Sequence, residues 1–363
     1  MKLVIAGGGT GGHLFPGIAV AEALLDVDPG SKVLFVGTER GIEARAVPKA
    51  GFDVKFIEVA GLKRVSLAKR LSTMAKLPSS LLQSRAILRD FAADAVLGVG
   101  GYASVPVLDA AKSMGLPTAI CEQNSVPGVT NKILAKLVDE IFVTFEASKS
   151  FFPEKKTRLV GNPVRRTFLE ASKRPAPDLD RGLVFTFGGS QGARPLNENA
   201  PRALALLQDR AALRERTIAV HALHQAGKDD VESVQRAYAE SAVPADVTPF
   251  IDDMVSAYRK AHVVICRAGA TSCAEIGALG IPAILVPFPQ AADDHQTKNA
   301  RDLERAGGCV VVPQSELTPA RLADEIERIL ADDDHRAKLA AGAKAWGRID
   351  AGAVVARAAL GGF

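Results

Sequence analysis

The chain has 363 residues, 47% hydrophobic, 24% charged and only 5% aromatic. That length suits two domains, and the composition excludes a disordered, fibrous or disulfide-framed chain in favour of a globular one. The net charge is a modest +4, yet Lys63, Arg64, Lys69, Arg70, Lys76, Arg85 and Arg89 fall in the acid-free window 62–89, so the rest of the chain is net negative.

Four cysteines, Cys121, Cys266, Cys273 and Cys309, form no C-x-x-C pair and lie in or beside apolar runs. They are expected as small buried hydrophobes in a reducing compartment. No run approaches the ~18 apolar residues of a membrane span, and the N-terminus enters a strand without a leader pattern.

Strand-like runs come first at 3–6, 32–36, 54–59, 95–99, 118–121 and 141–145, with helical segments between them. In the first of these, Ile18, Ala21 and Leu25 recur at helical spacing. The βαβα order with near-continuous apolar strands predicts a parallel sheet covered on both faces. Gly161-Asn162-Pro163 breaks the pattern, a Pro-rich polar stretch follows at 173–182, and a second alternation starts. Its strands are expected at 183–187, 218–222, 263–266, 283–286 and 309–312. The expected domains are 1–163 and 164–344, with a terminal helix at 345–363 packed back on the first.

Both halves open alike. "GGGTGGHLFP" (7–16) follows the first strand and "GGSQGARPLN" (188–197) follows the first strand of the second half. Glycine loops let backbone approach a phosphate, and a following helix offers free N–H groups and its positive end. Gly7, Gly9 and Gly12 satisfy G-x-G-x-x-G, and Glu39 after the second strand could hold a ribose, as in a dinucleotide-binding dehydrogenase. Pro16 argues against that reading, because it predicts a helix starting about four residues beyond Gly12, leaving His13 in an extended loop. Two further turns, "GVGGYASVP" (98–106) and "CEQNSVPG" (121–128), also end strands, on the rim where parallel sheets bind ligands.

In "CRAGATSCAEIGALG", Thr271 or Ser272 is the expected N-cap and Glu275 falls in the first turn. Glu275 either complements the helix dipole or accepts from both hydroxyls of a ribose. Beyond the next strand, Gln290, Gln296 and Asn299 suit sugar hydroxyls, while Asp293-Asp294-His295 is either a metal site or a solvated loop. His221 and His224 read as core or rim residues. The basic window also carries Leu67, Leu71, Met74, Leu77, Leu81 and Leu82 at roughly helical spacing. It fits a solvated helix face or an interfacial patch on anionic lipid; nucleic acid is disfavoured by the absence of stacking aromatics.

Together, "GGGTGGHLFPG", "GVGGYASVP", "CEQNSVPGVTNK", "VGNPVR", "FGGSQGA", "PFIDDM", "CRAGATSCAEI", "IPAILVPFP" and "DHQTKNA" cover essentially the whole chain. The set resembles the bacterial UDP-N-acetylglucosamine–lipid I N-acetylglucosaminyltransferases, the MurG family of peptidoglycan synthesis. The resemblance implies a GT-B fold, two Rossmann-like doubly wound domains facing across a cleft. It implies a UDP-GlcNAc donor and lipid I, an undecaprenyl-diphosphate-linked MurNAc-pentapeptide, as acceptor. Carried over by motif, the donor contacts are Thr10, Gly11, Gly12, Asn124, Arg165, Ser190, the Ile251 backbone as uracil reader, Ala270, Thr271, Ser272, Cys273, Ala274, Glu275 as ribose ligand, and Gln296. Gly100, Gly101 and Tyr102 are the acceptor-diphosphate candidates. His13 is the candidate base for an inverting displacement, or it orients the acceptor while Glu122 serves. No obligatory metal is expected, since preorganised N–H donors can stabilise the leaving diphosphate. The expected location is peripheral, on the cytoplasmic face of the cell membrane. A UDP-GlcNAc 2-epimerase is the alternative within the fold, and a dehydrogenase the alternative outside it.

Overall fold

The computed structural model describes residues 1–59, 67–174 and 182–363; of residues 67–78 it describes the backbone alone. Lys63 and Arg64 of the basic window therefore lie outside the described residues, as do the side chains of Lys69, Arg70 and Lys76. The chain divides into two compact units, Met1–Arg166 with Arg348–Phe363, and Thr167–Gly347.

In the first unit the strands are β1 Lys2–Ala6, β2 Lys32–Gly37, β3 Asp53–Phe56, β4 Ala95–Gly98, β5 Thr118–Glu122, β6 Glu140–Val143 and β7 Thr157–Leu159. They form an all-parallel sheet in the order β3-β2-β1-β4-β5-β6-β7. The central strands are buried throughout, β1 as Leu3, Val4, Ile5 and Ala6 and β4 from Ala95 to Gly98. Helices on both faces explain why these strands read as unbroken apolar runs. One core lies under the helix Gly11–Val27, which the helix Ala351–Leu360 covers in turn through Val355, Ala356 and Ala359. Gly352 permits that approach, because a Cβ there would sit 3.3 Å from the Ala19 carbonyl. The opposite core is closed by Leu88, Val107, Leu108 and Leu134.

The second unit repeats the plan with β8 Gly182–Phe187, β9 Val220–Gln225, β10 Ala245–Thr248, β11 Val263–Cys266, β12 Ala283–Leu285 and β13 Val310–Val311. Their order is β10-β9-β8-β11-β12-β13, again parallel at every pairing. In each unit the chain runs outward from the first strand, then returns to its other side. The switch points therefore lie between β1 and β4 and between β8 and β11, and open parallel sheets bind ligands at the carboxyl ends there. All four cysteines are buried and free, as their apolar neighbours predicted.

Two helix starts differ from expectation. The first helix begins at Gly11, not at Pro16, because the Thr10 carbonyl accepts from the N–H groups of His13 and Leu14. Pro16 sits inside it, costing the bond to the Gly12 carbonyl, while Leu14, Ile18, Ala21 and Leu24 bury the face that keeps the helix running. Leu24, not Leu25, completes that face. The helix after β11 begins at Ala270 with Gly269 as N-cap, so neither Thr271 nor Ser272 is the cap and Glu275 stands in the second turn. The helix Arg194–Leu207 does carry its proline in the first turn.

Candidate functional site

At the first switch point, two glycine turns lock together. Gly8 N–H donates to the Gly100 carbonyl at 3.2 Å, and a Cβ on Gly101 would lie 2.7 Å from the Gly8 carbonyl. Gly9, Gly100 and Gly101 have φ of +82°, +94° and +86°, a region other residues rarely adopt. His13 stands in the first turn of the helix, its Nδ1 3.3 Å from Thr10 Oγ1 and its ring against Gly100. A Cβ at position 100 would come within 3.0 Å of His13 Cδ2. Close by in sequence, Phe15 carries the Arg165 guanidinium 4.4 Å from its ring centre and crowds Gly11. Thr10, Gly11, Gly12, His13, Gly100, Gly101 and Arg165 thus gather around one switch point, with Tyr102 half-buried beside them.

A residue passed over in the sequence organises this loop. Glu43 is buried, with Oε2 accepting from Gly9 N–H at 2.8 Å and Oε1 from the N–H and hydroxyl of Thr38 at 2.8 and 3.0 Å. Side chains at Gly8, Gly37 or Gly41 would strike its carboxylate or stem. The sequence signal for it is the pair of glycines, Gly37 and Gly41, just before it in "GTERGIE"; the position after the second strand pointed to Glu39 instead. Glu39 is exposed, and the carboxylate on Gly9 places negative charge where a dinucleotide cradle would need a phosphate.

Glu122 is likewise buried. Its oxygens accept from Asn124 N–H at 2.9 Å, Asn131 Nδ2 at 2.8 Å and Gly128 N–H at 3.2 Å. Burial raises its pKa against the pull of those bonds. Its contacts shape the turn that presents Asn124, whose carbonyl accepts from Ser148 Oγ at 2.8 Å. Those bonds give Glu122 a structural task in that turn.

In the second unit, Ser190 is exposed on the loop after β8, between Gly189 and Gly192, with φ of +96° and +75°. This loop seats on the end of β9: a Cβ on Gly192 would lie 1.9 Å from the Ala226 carbonyl, and one on Gly227 2.3 Å from the Gln191 carbonyl. Behind it, Asn197 Nδ2 donates to the Ala226 carbonyl at 2.9 Å and to Asp230 Oδ2 at 2.8 Å. With both amide hydrogens used there, Asn197 Oδ1 accepts from His224 Nε2–H at 3.0 Å, leaving Nδ1 to accept from the Tyr238 hydroxyl at 3.1 Å. Burial pushes the His224 imidazole down to about 3, so this core histidine stays neutral. His221 is partly exposed beside Asp246 at 3.2 Å.

Across the switch point, the helix Ala270–Leu279 has no side-chain cap bond, so its first N–H groups are offered to an anion. Thr271 Oγ1 is buried without a hydrogen-bond partner among the described residues. Glu275 is 5% exposed, beyond the first turn where a helix dipole acts, so the dipole reading falls away. Its charge, after burial itself, holds the neighbouring Tyr258 hydroxyl well above its ordinary pKa. Gln296 Oε1 accepts from Phe288 N–H at 3.0 Å. Arg267 lies 5.4 Å from the Phe288 ring and donates to the carbonyls of Val286 and Pro287, each at 3.1 Å. Among the described residues, no cluster of His, Cys, Asp or Glu could hold a metal ion, so Asp293-Asp294-His295 is the loop and helix start.

Residues 3–143 match the model of the glycosyltransferase family 28 N-terminal domain, and residues 183–351 that of its C-terminal domain. The UDP-N-acetylglucosamine--N-acetylmuramyl-(pentapeptide) pyrophosphoryl-undecaprenol N-acetylglucosamine transferase of Trichlorobacter lovleyi is 45% identical, over 98% of this chain and 96% of that one. Its namesake from Myxococcus xanthus is 48% identical over 91% and 84%. A crystal structure of Acinetobacter baumannii MurG matches with a TM-score of 0.76 at 29% identity, over 98% of each chain. The chain belongs to the MurG family of glycosyltransferases. Its two parallel-sheet units are the GT-B fold. A UDP-GlcNAc 2-epimerase from Neisseria meningitidis, at 14% identity and a TM-score of 0.69, shares that fold alone. MurG membership also replaces the dehydrogenase reading, against which the helix start at Pro16 had been the wrong argument.

Proposed function

We propose that this MurG-family chain transfers GlcNAc from UDP-GlcNAc to the 4-hydroxyl of the MurNAc in lipid I, with inversion, forming lipid II. The observation that carries this reading is the first switch point, where an ionisable imidazole leans on a glycine turn at the end of a parallel strand. In the transfer, the 4-hydroxyl oxygen bonds to the anomeric carbon, the bond from that carbon to the diphosphate breaks, and UDP leaves with the electron pair. His13 takes the hydroxyl proton. For Nε2 to be the accepting atom, Nδ1 must carry the proton, and Thr10 Oγ1, 3.3 Å away, can accept from it. Gly100, Gly101 and Tyr102 supply backbone to the acceptor diphosphate.

On the donor side, Ser190 and the N–H groups at Ala270, Thr271 and Ser272 meet the UDP diphosphate, with Cys273 and Ala274 packing that turn. Glu275 holds the ribose, Ile251 reads the uracil, Gln296 meets the sugar, and Thr10, Gly11, Gly12, Asn124 and Arg165 complete the set. Fixed donors stabilise the charge that develops on the leaving group, so no metal ion is needed. UDP release is expected only when a lipid I analogue is added, and at a rate EDTA leaves unaltered. UDP-ManNAc formed from UDP-GlcNAc alone would favour the epimerase instead, and a loss of rate restored by magnesium would overturn the metal-free account.

The place of action proposed is the cytoplasmic membrane surface, held by the basic and apolar window 62–89 on anionic lipid. No helix of the described residues is long and apolar enough to cross a membrane. Each Lys or Arg near such a surface adds about 1 kcal/mol. Replacing Lys63, Arg64, Lys69 and Arg70 by alanine is therefore expected to weaken binding to phosphatidylglycerol vesicles at least ~100-fold. Equal partitioning of variant and wild type in a sedimentation assay would remove the patch.

A further inference from the structure

One buried amide connects the two loops assigned to opposite ends of the nucleotide. Gln225, the last residue of β9, is 3% exposed. Its Nε2 donates to the Gly189 carbonyl at 2.8 Å, in the loop that carries Ser190. Its Oε1 accepts from Ile251 N–H, also at 2.8 Å. An amide is the side chain that can do both at once, one donor and one acceptor on a planar group.

The second bond has a chemical consequence. That bond takes up the Ile251 N–H, so the backbone group Ile251 has left for a base is its carbonyl, which accepts no bond among the described residues. A carbonyl is an acceptor. It pairs with a base that carries a hydrogen on its ring nitrogen, as uracil does at N3. Cytosine has a lone pair at that position and meets the carbonyl with repulsion. The first bond acts elsewhere, restraining the Gly189 peptide and with it the height of the phosphate loop, which already seats on Ala226 and Gly227.

We propose that Gln225 is a specificity-determining positioning residue of the donor site: one oxygen takes up the Ile251 N–H and leaves the Ile251 carbonyl for the base, and one nitrogen sets the phosphate loop. The inference rests on the reading of the second unit as a UDP-sugar site. It assigns separate tasks to the two ends of a single side chain, which two substitutions can separate.

Gln225→Glu keeps an acceptor for Ile251 N–H and loses the donor to Gly189. Gln225→Met keeps the length and loses both. The measurements are calorimetric titration of each folded protein with UDP and with CDP, and KM and kcat for UDP-GlcNAc. Gln225→Glu is expected to raise KM about fivefold or more while retaining the preference for UDP over CDP. Gln225→Met is expected to raise KM similarly and to cut that preference about fivefold or more. In both, kcat moves less than KM, which a general loss of folding would not produce. Should one variant fail to fold, the other still decides through its own pair of numbers. A wild-type protein that binds UDP, with variants of unaltered KM and unaltered UDP-to-CDP ratio, overturns the assignment of Gln225 alone. A wild-type protein that binds no UDP overturns the donor reading and this inference together.

Discussion

His13→Ala is expected to lower kcat by roughly 10²–10⁴-fold, the usual contribution of a positioned proton acceptor. UDP-GlcNAc affinity is expected to stay within about twofold, because the affinity-bearing donor contacts are assigned chiefly to the second unit. The split follows from where the ring sits: against Gly100, tied to Thr10, at the switch point of the sheet proposed to receive the acceptor. A retained kcat in a steady-state assay with a lipid I analogue would remove His13 from the chemistry. A large loss of UDP-GlcNAc affinity by calorimetry would make it a donor ligand instead.

Glu43→Ala is expected to destabilise the first unit by about 3 kcal/mol and to lower turnover with it. Three donors, the N–H groups of Gly9 and Thr38 and the Thr38 hydroxyl, converge on this carboxylate. Alanine leaves them unpaired in a pocket whose walls are the glycines at 8, 37 and 41. Buried unpaired donors cost about 1–3 kcal/mol each, and the local loop relaxes to recover part of that. The Glu43→Gln variant would fit the same space, yet the NH2 of its amide would face a donor, so an intermediate loss is expected. Urea unfolding monitored by circular dichroism reads both. Wild-type midpoints in both variants would show that the carboxylate does not hold the loop.

The repeated architecture was legible because buried parallel strands must be apolar throughout, and β1, β4, β5, β8 and β11 stand out as such runs. Strands β7 and β10 were not. Both are short edge strands, carrying Arg158 and Asp246 outward, and half-exposed edges need no continuous apolar run. The glycine loops announced themselves by composition, while the helix start beside them did not. Pro16 is a strong local signal, and it lost to the Thr10 carbonyl and to burial of the face from Leu14 to Leu24. Thr271 and Ser272 misled in the same way, since Gly269 with extended backbone caps the helix ahead of them.

Long-range partners were the least legible. Glu43 meets Gly9 across 34 residues and Gln225 meets Gly189 across 36. Apart from the glycines just before Glu43, nothing local distinguishes these two side chains from solvated neighbours. Only the parallel register of β1 with β2 and of β8 with β9 brings them under the loops they hold.

The most direct test of the account is the linkage in the product. Enzyme, UDP-GlcNAc and a soluble lipid I analogue are incubated, and the disaccharide is analysed by proton NMR. A GlcNAc joined through a β bond to the MurNAc 4-oxygen, formed in step with UDP, is the predicted result. An α bond, attachment at another oxygen, or consumption of UDP-GlcNAc without a disaccharide would contradict it.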